Sequence, residues 1–257
     1  MQKPLILVVN DDGIKSKGIR HLIKIMNDFG DVIVVAPNKP QSAMSHAISI
    51  EKVLRCDQVN INNGPQKEYS CNGTPADCVK LALNKILHRK PDLIVSGINH
   101  GSNSSINVIY SGTVGAAIEG AIVGIPAIAF SLLDYSSDAN FDESEYYIRK
   151  IVKNILANKF ENNICLNVNF PKSIKNKKLK GVKICRQANA NWEEEFDERI
   201  DPKGNKYYWL TGNFVNYDKK TDTDEWALSN HYVSVVPINF DLTDYNSLNS
   251  LNLLLDE

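Results

Sequence analysis

Pro4-Leu-Ile-Leu-Val-Val-Asn-Asp-Asp-Gly13 is the stretch whose reading decides the fold. Leu5 to Val9 run apolar without a polar break. A strand with one wet face would alternate, so a short continuous run reads as a strand covered on both sides, as in a parallel sheet. Asn10, Asp11, Asp12 and Gly13 end it. Beyond them Ile19, Leu22, Ile23 and Met26 fall at i, i+3, i+4 and i+7, which is one apolar helical face. Asp31 to Pro37 repeats the buried-strand pattern, and the three pieces form a right-handed βαβ unit. Two adjacent carboxylates are thereby set at the carboxyl end of a central strand, where open α/β sheets keep their ligands.

Side by side, two such anions repel, and they stay ionised cheaply only beside a cation. Oxygen ligands favour a hard divalent ion such as Mg²⁺, Mn²⁺ or Ca²⁺. Asp and Gly are also ordinary turn residues, so a solvated Asp-Asp-Gly turn accounts for this stretch equally well.

Composition narrows the classes. A chain of 257 residues suits one large α/β domain, or a core with a smaller appended part. With 29 basic and 30 acidic residues the net charge is −1, which gives no footprint for polymeric nucleic acid. The local basic run from Lys172 to Lys183 reads as a solvated loop between strands. Cys56, Cys71, Cys78, Cys165 and Cys185 are odd in number and match no zinc spacing, so reduced thiols are expected. No run approaches a membrane span and no secretory pattern opens the chain, so a soluble cytoplasmic protein is expected.

Further along, the loop from Asn38 to His46 leaves the second strand on the same edge as Asp11 and Asp12. Ser42 offers a hydroxyl there, although a loop serine is more often a cap. Residues 47–72 read as a hairpin-like excursion with pieces at Ala47–Val53 and Val59–Asn62. Thr74-Pro75-Ala76-Asp77 is a helix start with a box-like cap. Pro91 to Ser96 is a third strand running into Gly97-Ile-Asn-His-Gly-Ser-Asn103, which sets Asn99 just past the strand end. His100, beside it, is either catalytic or a solvated loop residue. Ser111-Gly112-Thr113 opens a helix of small residues through Val123, and its free N–H groups suit a phosphate as readily as they suit plain capping. Pro126–Ser131, Ile164–Val168 and Val182–Cys185 are further strands, with a helix over Asp142–Asn158. Past about 186 the texture changes. Residues 189–206 are polar, Lys206–Thr211 reads as one hairpin arm, Asp222–Ser229 as a short helix and His231–Pro237 as a strand.

Four segments converge on one rim: Asn10-Asp11-Asp12, Ser42, Asn99 to Asn103, and Ser111-Gly112-Thr113. Carboxylates, an amide and a hydroxyl beside a helix N-terminus form the layout of phosphoryl chemistry, which is mostly positioning and charge neutralisation. These same segments resemble a known family. Val9-Asn-Asp-Asp-Gly-Ile-Lys-Ser-Lys-Gly18, Val35–Ser42, Asn72–Asp77, Ser96–Asn103, Tyr110–Ala117, Thr223–Leu228 and Tyr232–Ile238 are similar, in order, to the motifs of the SurE (survival protein E) nucleotidases.

The resemblance implies a Rossmann-like, doubly wound, mostly parallel α/β/α sheet with a C-terminal β-hairpin and helix extension for oligomerisation. The expected division is a catalytic core over 1–185 and an extension over 186–257 that assembles a homodimer or homotetramer and completes the core. The implied activity is metal-dependent hydrolysis of nucleoside 5′- and 3′-monophosphates, with short polyphosphate as a further substrate. The implied metal ligands are Asp11, Asp12, Ser42 and Asn99, holding one Mg²⁺ or Mn²⁺, with Co²⁺ or Ca²⁺ as substitutes in crystals. Asp11, Asp12 and Asn99 are the expected catalytic residues. Phosphate or substrate contacts are expected from Asn10, Asn103, Ser111, Gly112 and Thr113. The tail after Asn239 is less typical of the family.

Three rivals fit worse. A haloacid-dehalogenase phosphatase needs Asp-x-Asp, a receiver domain needs an Asp where Ser96-Gly97-Ile98-Asn99 stands, and a dehydrogenase needs G-x-G-x-x-G. A non-catalytic nucleotide-binding or phosphate-sensing protein remains the alternative to the enzyme.

Overall fold

The computed structural model describes residues 3–158, 164–175 and 177–255. In chain order the strands are β1 (Leu5–Val9), β2 (Asp31–Pro37), β3 (Cys56–Val59), β4 (Lys67–Cys71), β5 (Leu93–His100), β6 (Ala127–Leu132), β7 (Cys165–Phe170), β8 (Val182–Ile184), β9 (Ala190–Ile200), β10 (Lys206–Asn216) and β11 (Val233–Pro237). The helices are α1 (Lys17–Met26), α2 (Pro75–Leu81, prolonged by a π-turn over Ala82–Ile86), α3 (Asn107–Tyr110), α4 (Gly112–Ile122), α5 (Asp142–Ala157), α6 (Asp224–Ser229) and α7 (Leu248–Leu255).

The main sheet runs β3-β4-β2-β1-β5-β6-β7-β11-β8. From β4 to β7 every neighbouring pair is parallel, whereas β3 and β11 run antiparallel to β4 and β7. All five residues of β1 are buried, and they alternate between two cores. Ile6 and Val8 join the layer that packs α1 and α5, while Leu7 and Val9 join the layer that packs α2 and α4. That double coverage is why the strand carries no polar alternation. β1 pairs with β2 on one side and with β5 on the other. The chain reverses its direction of travel across the sheet there, which opens a crevice at the carboxyl end of β1.

Local chemistry explains the helix starts. Thr74 accepts from the Asp77 N–H and the Asp77 carboxylate accepts from the Thr74 N–H, a complete capping box followed by proline at the first position. Ser111 caps α4 through Val114 N–H.

Several sequence expectations are corrected. β5 does not stop at Ser96. It continues to His100 through an irregularity between Ser96 and Asn99, so Asn99 lies in the strand, opposite Ser131. Residues 47–53 are irregular, with bends at 50–52, and the hairpin-like excursion is built instead from β3 and β4. The polar segment after 189 is a strand, β9, paired residue for residue with β10 in a two-stranded arm. Its alternation is invisible because almost every residue of both strands is at least partly exposed. α6 begins at Asp224 rather than Asp222, and β11 at Val233 rather than His231. β11, from the C-terminal part, lies inside the main sheet between β7 and β8. The basic run after Lys172 is mostly loop, and residue 176 lies outside the described residues. All five cysteines are free thiols. Among the described residues no helix is long and apolar enough to cross a membrane.

Candidate functional site

β1 delivers Asp11 and Asp12 to the crevice. Asp11 is almost fully buried. Its Oδ1 accepts from the Thr113 hydroxyl, on the first turn of α4. Gly112 makes that approach possible: a Cβ there would sit 3.0 Å from the Asp11 Cβ and 3.2 Å from its Oδ2. Burial pushes the Asp11 carboxyl up to about 6, and the neighbouring charge of Asp12 pushes the same way. The hydroxyl and backbone amide of Thr113 pull it partly back. Burial also raises Asp12, against a backbone bond from His100 and the charge of its ring. That bond, His100 N–H to Asp12 Oδ2, measures 3.0 Å and ties the end of β5 to the acid pair. Among the described residues neither carboxylate pairs with a Lys or Arg side chain.

The loop after β2 reaches the same place. Gln41 N–H donates to the Asp11 carbonyl at 2.7 Å, which brings the exposed Ser42 to the rim. Asn99 donates through Nδ2 to the Gly101 carbonyl at 3.0 Å. Its Nδ2 thus faces its own loop, and an amide held this way can present only its oxygen to a cation.

The other expected residues divide. Ser111 uses its Oγ to accept from Val114 N–H at 3.0 Å, which leaves its hydroxyl proton for another acceptor. Asn10 is fully buried, and its Nδ2 donates to Gly13 O at 3.0 Å and to Ser16 Oγ at 2.9 Å, shaping the turn that carries the two aspartates. Asn103 sits in a buried polar lattice. Its Nδ2 donates to Ser131 Oγ at 2.7 Å, its N–H to Asn169 Oδ1 at 2.9 Å, and its carbonyl accepts from Asn167 Nδ2 at 2.7 Å. The His100 ring is held by the Ser136 carbonyl at 2.9 Å and lies edge-on to Phe141.

Some residues of this scaffold escaped the sequence reading. Asp224, buried at the start of α6, accepts from Ser105 N–H at 2.8 Å and Ala188 N–H at 2.9 Å. Glu225 accepts from the Ser104 hydroxyl. Both hold the loop after β5 from more than a hundred residues away in sequence. The signal for Asn167 and Asn169 was present as alternating polar residues in an otherwise apolar strand.

The donors at the rim are all oxygens, which suits a hard cation better than a thiophilic one. Among the described residues no cluster of three or more His, Cys, Asp or Glu is placed to hold a metal, so such an ion would rest on two carboxylates completed by neutral oxygens.

Comparison with known proteins fits this geometry. The family model "Survival protein SurE" matches residues 6–194. The chain belongs to the SurE family. The protein named 5′-nucleotidase SurE of Christiangramia forsetii is 61% identical over 252 residues, which is 98% of this chain and 96% of that one. Its namesake in Flavobacterium psychrophilum is 60% identical, with 98% of both chains covered. The crystal structure of the Sure protein from Aquifex aeolicus superposes with a TM-score of 0.83 at 38% identity, covering 98% of this chain and 99% of that one. The family match runs from β1 into the start of β9, and the alignments to these relatives cover 98% of the chain.

Proposed function

We propose that the chain is a divalent-metal-dependent 5′-nucleotidase that hydrolyses nucleoside 5′-monophosphates to nucleoside and phosphate. The observation that carries the reading is the Asp11–Asp12 pair, without a basic partner, set against the N-terminus of α4. Its relatives' shared name supports the same reaction.

In this reading Asp11, Asp12, Asn99 and Ser42 hold one Mg²⁺ or Mn²⁺. The ion supplies neutralisation of charge on the phosphoryl group and leaving oxygen. Ser111 and Gly112 bind the remaining phosphoryl oxygens through backbone N–H groups and the Ser111 hydroxyl, while Thr113, whose hydroxyl and N–H are both turned to Asp11, orients that carboxylate beside them. Asp12 Oδ2 accepts one bond from His100 N–H, which fixes the carboxylate and leaves its remaining lone pairs to hold the ion and to orient or deprotonate the attacking water. Asn103 and Asn10 support the rim from behind through the bonds already described.

We further propose that the enzyme works in the cytoplasm and assembles through its C-terminal part. The arm formed by β9 and β10 exposes Phe196, Ile200, Tyr208, Trp209 and Leu210, the kind of aromatic-rich surface that subunit interfaces use.

The test is phosphate release from a panel of nucleoside 5′- and 3′-monophosphates and short polyphosphate, with Mg²⁺, Mn²⁺ or a chelator. Turnover that the chelator and Asp12→Asn both abolish is the expected result. Tight nucleotide binding with no turnover in any metal would replace the enzyme by a binding protein.

A further inference from the structure

Glu119 lies on α4, two turns beyond Thr113, and its side chain is only 5% exposed. A carboxylate is rarely buried unless it is paired. Glu119 has two partners on different elements. Its Oε1 pairs with Lys80 of α2, and its Oε2 meets His46 Nε2 at 2.8 Å. Burial alone would push the Glu119 carboxyl up, but the bonds and charges of His46 and Lys80 outweigh it and hold the group below the usual glutamate range.

His46 belongs to the loop that carries Ser42. That loop is held at both of its ends. Gln41 N–H is bound by Asp11 O at 2.7 Å, and Ser45 is bound through its N–H to Tyr110 O at 3.0 Å and through its hydroxyl to Ile109 O at 2.6 Å. The loop lies so close on α4 that a Cβ on Gly115 would come within 2.7 Å of the Ser45 carbonyl. Ala43, between these anchors, and Ser45, at the second of them, adopt left-handed φ values of 57° and 54°. Side-chain-bearing residues persist in that conformation only where their surroundings enforce it.

We infer that Glu119 is a positioning residue for the metal site: through His46 it fixes the loop that presents Ser42 opposite Asp11 and Asp12. This rests on the metal reading above. Glu119 touches neither ion nor substrate. It acts by adding a side-chain anchor at His46 to the Gln41 and Ser45 bonds that hold the ligand-bearing loop. Partners of this kind typically change metal affinity or activity by 10–100-fold when removed. Lys80 neutralises the buried charge, and among the described residues its ammonium forms its ion pair with Glu119 and none with the loop, so it serves as the internal control.

The experiment is calorimetric titration of Mn²⁺ into the wild type, Glu119→Ala, His46→Ala, the double variant and Lys80→Met, with hydrogen exchange followed over residues 39–47. Glu119→Ala and His46→Ala should each weaken Mn²⁺ about tenfold, and the double variant should be no worse than either alone, since the two act as one unit. Exchange should rise in residues 39–47, and kcat at saturating Mn²⁺ should recover while the apparent metal constant does not. Lys80→Met should weaken Mn²⁺ clearly less than Glu119→Ala does, because His46 still holds the carboxylate to the loop. Wild-type Mn²⁺ affinity in folded His46→Ala would overturn the inference, and so would equal weakening in Lys80→Met. Should Glu119→Ala fail to fold, His46→Ala decides, because its side chain is about one-third exposed. A wild type that binds no Mn²⁺ would instead defeat the metal reading, while the exchange comparison would still judge the anchoring of the loop.

Discussion

Replacing Asp11 by Asn should make the metal-free protein more stable while destroying its activity. In the fold this carboxyl is pushed up from 3.8 to about 6, first by burial and then by the charge of Asp12. At about 1.4 kcal/mol per unit, the charged form is disfavoured by about 3 kcal/mol at neutral pH. The sign follows from proton binding. The native chain holds this proton more tightly than the unfolded chain does, so the stabilisation is complete below about pH 4 and is lost as pH rises through about 6. Asparagine carries no charge to desolvate, and its Oδ1 can still accept from Thr113. Allowing for imperfect replacement of the Thr113 bond, Asp11→Asn should gain about 1–3 kcal/mol in chelator at about pH 7. For a chain of this length that is a rise in Tm of about 2–10 °C. At about pH 4 the gain should vanish. Saturating Mn²⁺ should reverse the order, because only the wild type then gains the binding free energy, about 4.1 kcal/mol at a thousandfold excess over Kd. Thermal melts at both pH values, with and without the ion, provide the assay. An Asn variant less stable than wild type in chelator at neutral pH, or a gain that persists unchanged in acid, would refute the account of the acid pair.

Gly112→Ala should lower kcat/KM about 10–100-fold, because a shift of under 1 Å between α4 and Asp11 misaligns the phosphate site; an unchanged Tm beside that loss would show that the effect is local. Asp224→Ala removes the acceptor for the buried Ser105 amide and should cost about 2–4 kcal/mol in urea unfolding. Trp209→Glu together with Leu210→Glu should shift the protein to a smaller species by light scattering without disturbing the monomer fold, since both side chains are more than half exposed on the β9–β10 arm.

Much of this was legible in the sequence because of one physical circumstance. Strands buried on both faces must be apolar throughout, so β1 and β2 announced themselves, and the capping box at Thr74 marked the start of α2. The two aspartates at the end of β1 pointed to the rim for the same reason. What the sequence concealed was pairing that leaves no periodic trace. β9 was hidden because it is wet on both sides, and β5 was read short because its backbone slips register at Gly97. Asn10 precedes the two aspartates, and what the sequence did not tell is that its Nδ2 binds Gly13 and Ser16 while its buried Oδ1 has no partner among the described residues. The contribution of Asp224 and Glu225 was out of reach, since it depends on which distant loop they meet.

The bond from Asp224 to Ser105 also sets a timetable for the newborn chain. The acids and the loop after β5 leave the ribosome early, but the carboxylate that pins Ser105 is translated more than a hundred residues afterwards, and β11 follows it into the sheet. At roughly 5–20 residues per second the unfinished polypeptide waits several seconds with its rim unsecured. The loop after β5 can therefore take up this hold only once Asp224 has been made.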